Sequence, residues 1–163
     1  MTWGIPSDLL LQIHVALSLI AIPAGLVVMY GLLIGRHYAG WTALFLACLI
    51  LTSVTGFPLE PLGFDPARTV GVISLVLLAL AVAALYFFHL AGAWRWIYIG
   101  CATAALYLDC FVGVVQAFQK LPFLQPMQGQ PPFLVAQVAV LVLFVALGVL
   151  AAIRFHPRTE ARA

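Results

Sequence analysis

The chain has 163 residues, of which 65% are hydrophobic and only 7% charged, with a mean hydropathy of +1.16. A water-soluble domain carries about 25% charged residues, so this chain cannot cover a water-facing surface and lipid must solvate most of it. The formal net charge is +2 with no basic patch, which argues against nucleic acid as a partner, and the length suits one bundle without a second domain.

The first apolar run covers residues 9–34. Pro6, Ser7 and Asp8 stand before it as a start and cap. Met1 to Ser7 contains no Lys or Arg, and the run is longer than the about 7–15 residues of a signal-peptide core, so it is expected to remain as a helix. Further runs cover residues 41–57, 69–90, 94–118 and 133–153. Crossing the hydrocarbon takes about 20 residues, with about 17 as the lower limit. Five crossings are expected, the second being the shortest, in an all-helical membrane bundle occupying residues 1–163 as one domain.

Orientation follows from the basic residues between the runs. Arg36, Arg95, Arg154, Arg158 and Arg162 fall on one side of a five-span chain, and Arg68 and Lys120 on the other. The richer side is expected to be cytoplasmic, leaving the N-terminus outside and the C-terminus inside. Trp41, Trp94, Trp96 and Tyr98 then form an inner aromatic belt, with Trp3 on the outer side. Short connections at 35–40 and 91–93 make helices one and two, and three and four, antiparallel neighbours. The connections at 58–66 and 119–132 are longer and proline-rich, and are expected to cover the outer end.

Polar residues inside the runs carry the functional information, because each must find a partner in lipid. Asp109 stands in the middle of the fourth run, where an acid costs about 2.5–3.5 kcal/mol on insertion scales. Either a partner in the fold offsets that cost or the carboxyl is neutral. Ala102, Ala105, Asp109, Gly113 and Gln116 share one helical stripe, and so do His14, Ser18, Ala21, Gly25 and Met29 in the first run. Their small residues suit close helix approach. Pro23 should kink the first helix and free a carbonyl near the bilayer centre. Counting about 1.5 Å per residue brings His14 and Asp109 to overlapping depths, so they are expected to pair.

Thr52, Thr55, Ser74 and Gln137 fall in the same half of their runs, and the other half offers little to match them. The expectation is an outward-facing polar pocket with Asp109 at its floor, His14 as an acid–base group, Gln116 and Gln137 at the rim, and Thr52, Thr55 and Ser74 as further contacts. Such a pocket suits a small ligand, a quinone headgroup or a proton.

Other chemistries fit less well. His14 and His89 differ in depth by roughly 20 Å, too far to clamp one haem iron, and His37 and His156 fall on the inner side. Cys48, Cys101 and Cys110 lie in apolar runs outside any CxxC pair and read as small core residues. No HExxH, Walker or nucleophile-elbow pattern occurs, no metal site is expected, and the cofactor stays unknown.

The segments Leu51-Thr52-Ser53-Val54-Thr55-Gly56-Phe57-Pro58 and Trp94-Arg95-Trp96-Ile97-Tyr98 resemble those of small, uncharacterised inner-membrane proteins of bacteria. The resemblance implies a multi-pass protein of the cell inner membrane and brings no activity, cofactor or catalytic residue. Three functional expectations follow: a ligand- or proton-binding bundle, an accessory or assembly subunit of a larger membrane complex, and a redox carrier with a haem or metal. Beyond the lipid bilayer, its partners would be another membrane protein or a second copy of itself.

Overall fold

The computed structural model describes residues 6–59 and 66–156. Trp3, the Glu60 to Asp65 part of the first proline-rich connection, and Arg158 and Arg162 lie outside the described residues. The fold is all-helical: α1 (Ser7–Leu33), α2 (Ala39–Gly56), α3 (Pro66–Val82), α4 (Trp94–Lys120) and α5 (Pro131–Arg154). A π-helical turn, Ala83–Phe87, extends α3. Among the described residues five helices, α3 counted with this extension, are long and apolar enough to span a membrane.

Helix ends follow local chemistry. Pro6 caps α1 and Ser7 is its first residue, with no side-chain cap bond, so Ser7 is helical rather than the cap its position suggested. Pro131 and Pro132 open α5, where a missing N–H costs nothing. Gly35 ends the α1 turn at a φ of 72°, a conformation glycine adopts without strain. After the π turn the chain reverses through His89 and Leu90, both at positive φ. Their strain is held by a bond from the Leu90 N–H to the Ala84 carbonyl at 2.9 Å and by the Phe88 ring stacked 3.7 Å from Trp94.

The helices alternate in direction. α1 packs most extensively on α2, α3 packs on α2 and α4, and α5 packs on α4 and more lightly on α1. α1 and α4 also touch across the bundle, with Ser18, Gly25 and Met29 of the α1 stripe meeting Asp109, Leu106 and Thr103 of α4. Ala21, Ala102 and Ala105 are fully or almost fully buried. The Thr103 hydroxyl donates to Met29 Sδ at 3.5 Å. A Cβ on Gly25 would fall 2.6 Å from Leu106 Cδ1 and 2.9 Å from Phe45 Cδ2, so glycine is what lets α1, α2 and α4 meet there. Val28, Leu32, Leu46 and Leu49 fill the layers beside this contact.

At the end of the bundle bearing Arg36, Arg95 and Arg154, Trp41 and Trp96 are exposed as an interfacial belt requires. Tyr98 is not part of that belt. It is wholly buried beside His37, ring centroids 6.4 Å apart. Thr42 is equally buried. This half of the bundle therefore holds more buried polar groups than the sequence pattern suggested. Arg95 closes it by donating to the Phe155 carbonyl at 2.9 Å.

Candidate functional site

Polar side chains from four helices converge at the other end, which bears the start of α1 and the end of α4. They line a cavity of about 510 Å³. From α1 come His14 and Ser18, from α2 Thr52 and Ser53, from α3 Arg68 and Ser74, and from α4 Asp109, Gln116 and Lys120. Leucine and valine side chains of all four helices make up most of the remaining wall. Ser18 is eleven residues from Ser7 and Asp109 eleven from Lys120, which puts both about 16 Å below their helix ends. These two residues form the floor.

The floor is bridged by the Ser18 hydroxyl, which donates to Asp109 Oδ1 at 2.7 Å. Asp109 Oδ2 is buried and has no hydrogen-bond partner among the described residues. Thr52 Oγ1 is in the same state, on a residue only 7% exposed. A buried polar atom without a partner costs roughly 1–3 kcal/mol; Asp109 and Thr52 carry two such atoms at the cavity, and Thr42, Tyr98 and Gln137 carry three more elsewhere among the described residues.

His14 is held from the side. Its Nδ1 lies 3.2 Å from Thr55 Oγ1. The single proton of Thr55 is committed to the Leu51 carbonyl at 2.7 Å, so His14 Nδ1–H donates and Thr55 accepts. In the neutral ring this leaves Nε2 as an acceptor. Gly56 makes room for the imidazole: a Cβ there would stand 3.2 Å from His14 Cε1. Pro23 continues α1 without breaking it, yet it provides no N–H for the Leu19 carbonyl.

Of the expected site residues, the structure brings His14, Thr52, Ser74, Asp109 and Gln116 to one cavity. The expected His14–Asp109 pair is replaced by two separate bonds, His14 to Thr55 and Ser18 to Asp109. Ser18 is one turn deeper than His14 on the same stripe, which matches Asp109 better. Thr55 therefore braces the imidazole rather than lining the cavity. Gln137 does not reach the rim: it packs on the flank of α4 facing α5, where Nε2 donates to the Phe111 carbonyl at 3.4 Å. α5 contributes no described residue to the cavity.

Ser18, Ser53, Arg68 and Lys120 were missed as site residues. Equal depth with Asp109 could have found Ser18. Arg68 donates to the Phe57 carbonyl at 3.3 Å and the Leu59 carbonyl at 2.8 Å, tying the end of α2 to α3, and no sequence signal announces that.

Among the described residues no three His, Cys, Asp or Glu side chains are grouped to hold a metal ion. Cys48, Cys101 and Cys110 are free thiols within the bundle. No protein family, curated protein or solved structure matches this chain. Its chemistry has to be read from the cavity itself.

Proposed function

We propose that this chain is a five-span protein of a bacterial inner membrane that binds a small ligand, with a quinone-type headgroup as the best match, in an outward-facing cavity floored by Asp109. The observation that carries this reading is the 510 Å³ cavity, whose lining includes Asp109 and Thr52, each with a buried side-chain oxygen (Oδ2 and Oγ1) that has no hydrogen-bond partner among the described residues. A hydroxyl can donate and accept, and a carboxyl can accept or, when neutral, donate. A head bearing carbonyl and hydroxyl groups would satisfy both, with His14 Nε2 as a further acceptor.

The placement of the cavity outside rests on charge. Arg36, Arg95 and Arg154 share one end of the bundle, and the C-terminal tail adds two more arginines, while Arg68 and Lys120 stand at the other end. The same acid, imidazole and hydroxyls could exchange a proton with the outer solution. Below the floor, Phe45, Ala102, Ala105 and Leu106 are buried, with Leu106 and Phe45 against Gly25, which supports access from one side only.

A second reading, an assembly subunit, is favoured by α5. Only 11% of its most apolar stretch is buried, against 44% for α4, leaving a long face for a partner helix or for lipid.

The deciding experiment compares wild type with Asp109→Asn and Thr52→Val in nanodiscs, titrated with a short-tailed benzoquinone and its quinol. The ligand reading expects folded variants whose binding is at least tenfold weaker. Unchanged binding, or none in the wild type, would reject it, and loss of a co-purifying membrane partner in α5 variants would support the assembly role.

A further inference from the structure

The cavity wall is not closed evenly. Five residues that line it are exposed, and all belong to α1 or α4: Leu11, Val15 and Leu19 on α1, and Gln116 and Lys120 on α4. Every lining residue from α2 and α3 is buried or half-buried. The opening is therefore a slot along the seam between α1 and α4, not a mouth centred on the bundle axis.

The slot changes character with depth. At its upper end are Lys120 and Gln116, within about 6 Å of the end of α4. Lower down, Leu11, Val15 and Leu19 form a stripe of successive i, i+4 positions, 41%, 38% and 64% exposed. Leu19 is twelve residues into α1, about 18 Å from its start, a depth that belongs to hydrocarbon in a spanning helix. The two helices are tied at about this depth by the Ser18–Asp109 bond, and Ile22 Cδ1 stands 3.9 Å from where a Gly113 Cβ would be.

Resting on the proposed membrane placement and ligand site, we propose that the cavity is loaded sideways from the bilayer and that its ligand is a single-tailed amphiphile with an uncharged, hydrogen-bonding head. The head enters between α1 and α4 and meets Asp109 and Thr52. The tail stays in the slot against Val15 and Leu19 and continues into lipid. An uncharged head fits because the deep end offers hydrogen-bonding groups, Ser18, Thr52 and Asp109, while the basic side chains Lys120 and Arg68 stand near the helix ends. A cavity of 510 Å³ is of the size that holds a whole drug-sized molecule, so only a tail longer than that has to leave it, and the apolar stripe marks where. A water-soluble ligand would need no apolar exit at that depth.

The test uses the full chain in nanodiscs and two probes with one headgroup: a decyl-tailed benzoquinol and the same benzoquinol without a tail. Leu19→Trp and Val15→Phe fill the slot on exposed positions, and Val138→Trp adds the same bulk on the exposed face of α5. The expected result is binding of the tailed probe at least tenfold tighter than the tail-less one at equal aqueous concentration. Leu19→Trp and Val15→Phe should each weaken the tailed probe at least tenfold, with Val138→Trp unchanged. Equal binding of both probes, indifferent to the slot variants but lost in Asp109→Asn, would overturn sideways loading and leave the site standing. Absence of any binding to wild type, or binding indifferent to Asp109→Asn, would overturn the site and the route together.

Discussion

Ser18 and Asp109, ninety-one residues apart in the chain, are joined by a 2.7 Å hydrogen bond that is the deepest polar link between α1 and α4 at the cavity. The serine satisfies one carboxyl oxygen, while the other is buried without a partner among the described residues. In this arrangement the acid is both a tie between helices and a lining residue of the cavity.

Energetic coupling should follow these bonds. Ser18→Ala and Asp109→Ala, alone and combined, should give an interaction energy near the about 0.6 kcal/mol typical of hydrogen bonds in membranes, with about 1.7 kcal/mol as the ceiling. His14→Ala with Asp109→Ala should be additive within about 0.5 kcal/mol, because His14 is tied to Thr55 instead. Unfolding in mixed detergent micelles measures both cycles. A larger coupling for His14 than for Ser18 would contradict the observed bonding.

Glycines along the bundle should respond in opposite ways to alanine. Gly25→Ala drives a methyl against Leu106 and Phe45 and should destabilise by about 1–3 kcal/mol. Gly100→Ala meets nothing within 4 Å and should be neutral or stabilising by up to about 1 kcal/mol through helix propensity. The same micelle unfolding assay ranks them, and equal effects would mean that α1 and α4 are farther apart than described.

Gly56→Ala addresses His14 without touching Asp109. The added methyl would stand 3.2 Å from Cε1, so the ring must shift by a few tenths of an ångström and its bond to Thr55 should lengthen. Histidine NMR shifts would report this. Ligand affinity should fall severalfold less than in Asp109→Asn, and no change in either observable would remove His14 from the site.

His37 lies in the turn between α1 and α2, and partial desolvation there lowers its pKa below the ordinary 6.5. The unfolded chain then binds the proton more readily than the folded one, so stability should rise with pH across the window just below 6.5 and level off above it. One side of the ring remains open to solvent, which keeps the effect small. His37→Phe should retain an edge contact with Tyr98 and flatten that dependence, as measured by unfolding between pH 5 and 8.

Topology has a direct test as well. Reporter fusions after Ala163 and within residues 119–132 should report opposite sides of the membrane, with the tail cytoplasmic. Both on one side would mean that α5, the helix between them, does not cross the membrane.

The number of helices, their limits and the two small-residue stripes were legible in the sequence, because 20-residue apolar runs and 3.6-residue periodicity are local properties that lipid enforces strongly. Asp109 stood out for the same reason, as an acid in an apolar run is costly wherever its helix packs. Which neighbour it meets was decided only by tertiary structure. Depth counting gave His14 and Asp109 overlapping depths, but Ser18, one turn deeper on the same stripe, is the residue that meets Asp109, and His14 meets Thr55. Helix rotation sends Tyr98 into the core and Gln137 to the far flank of α4. A single sequence records where along the membrane normal a residue falls. The azimuth of each helix comes from the packing of all five, with Gly25 against Leu106 setting how closely α1 approaches α4.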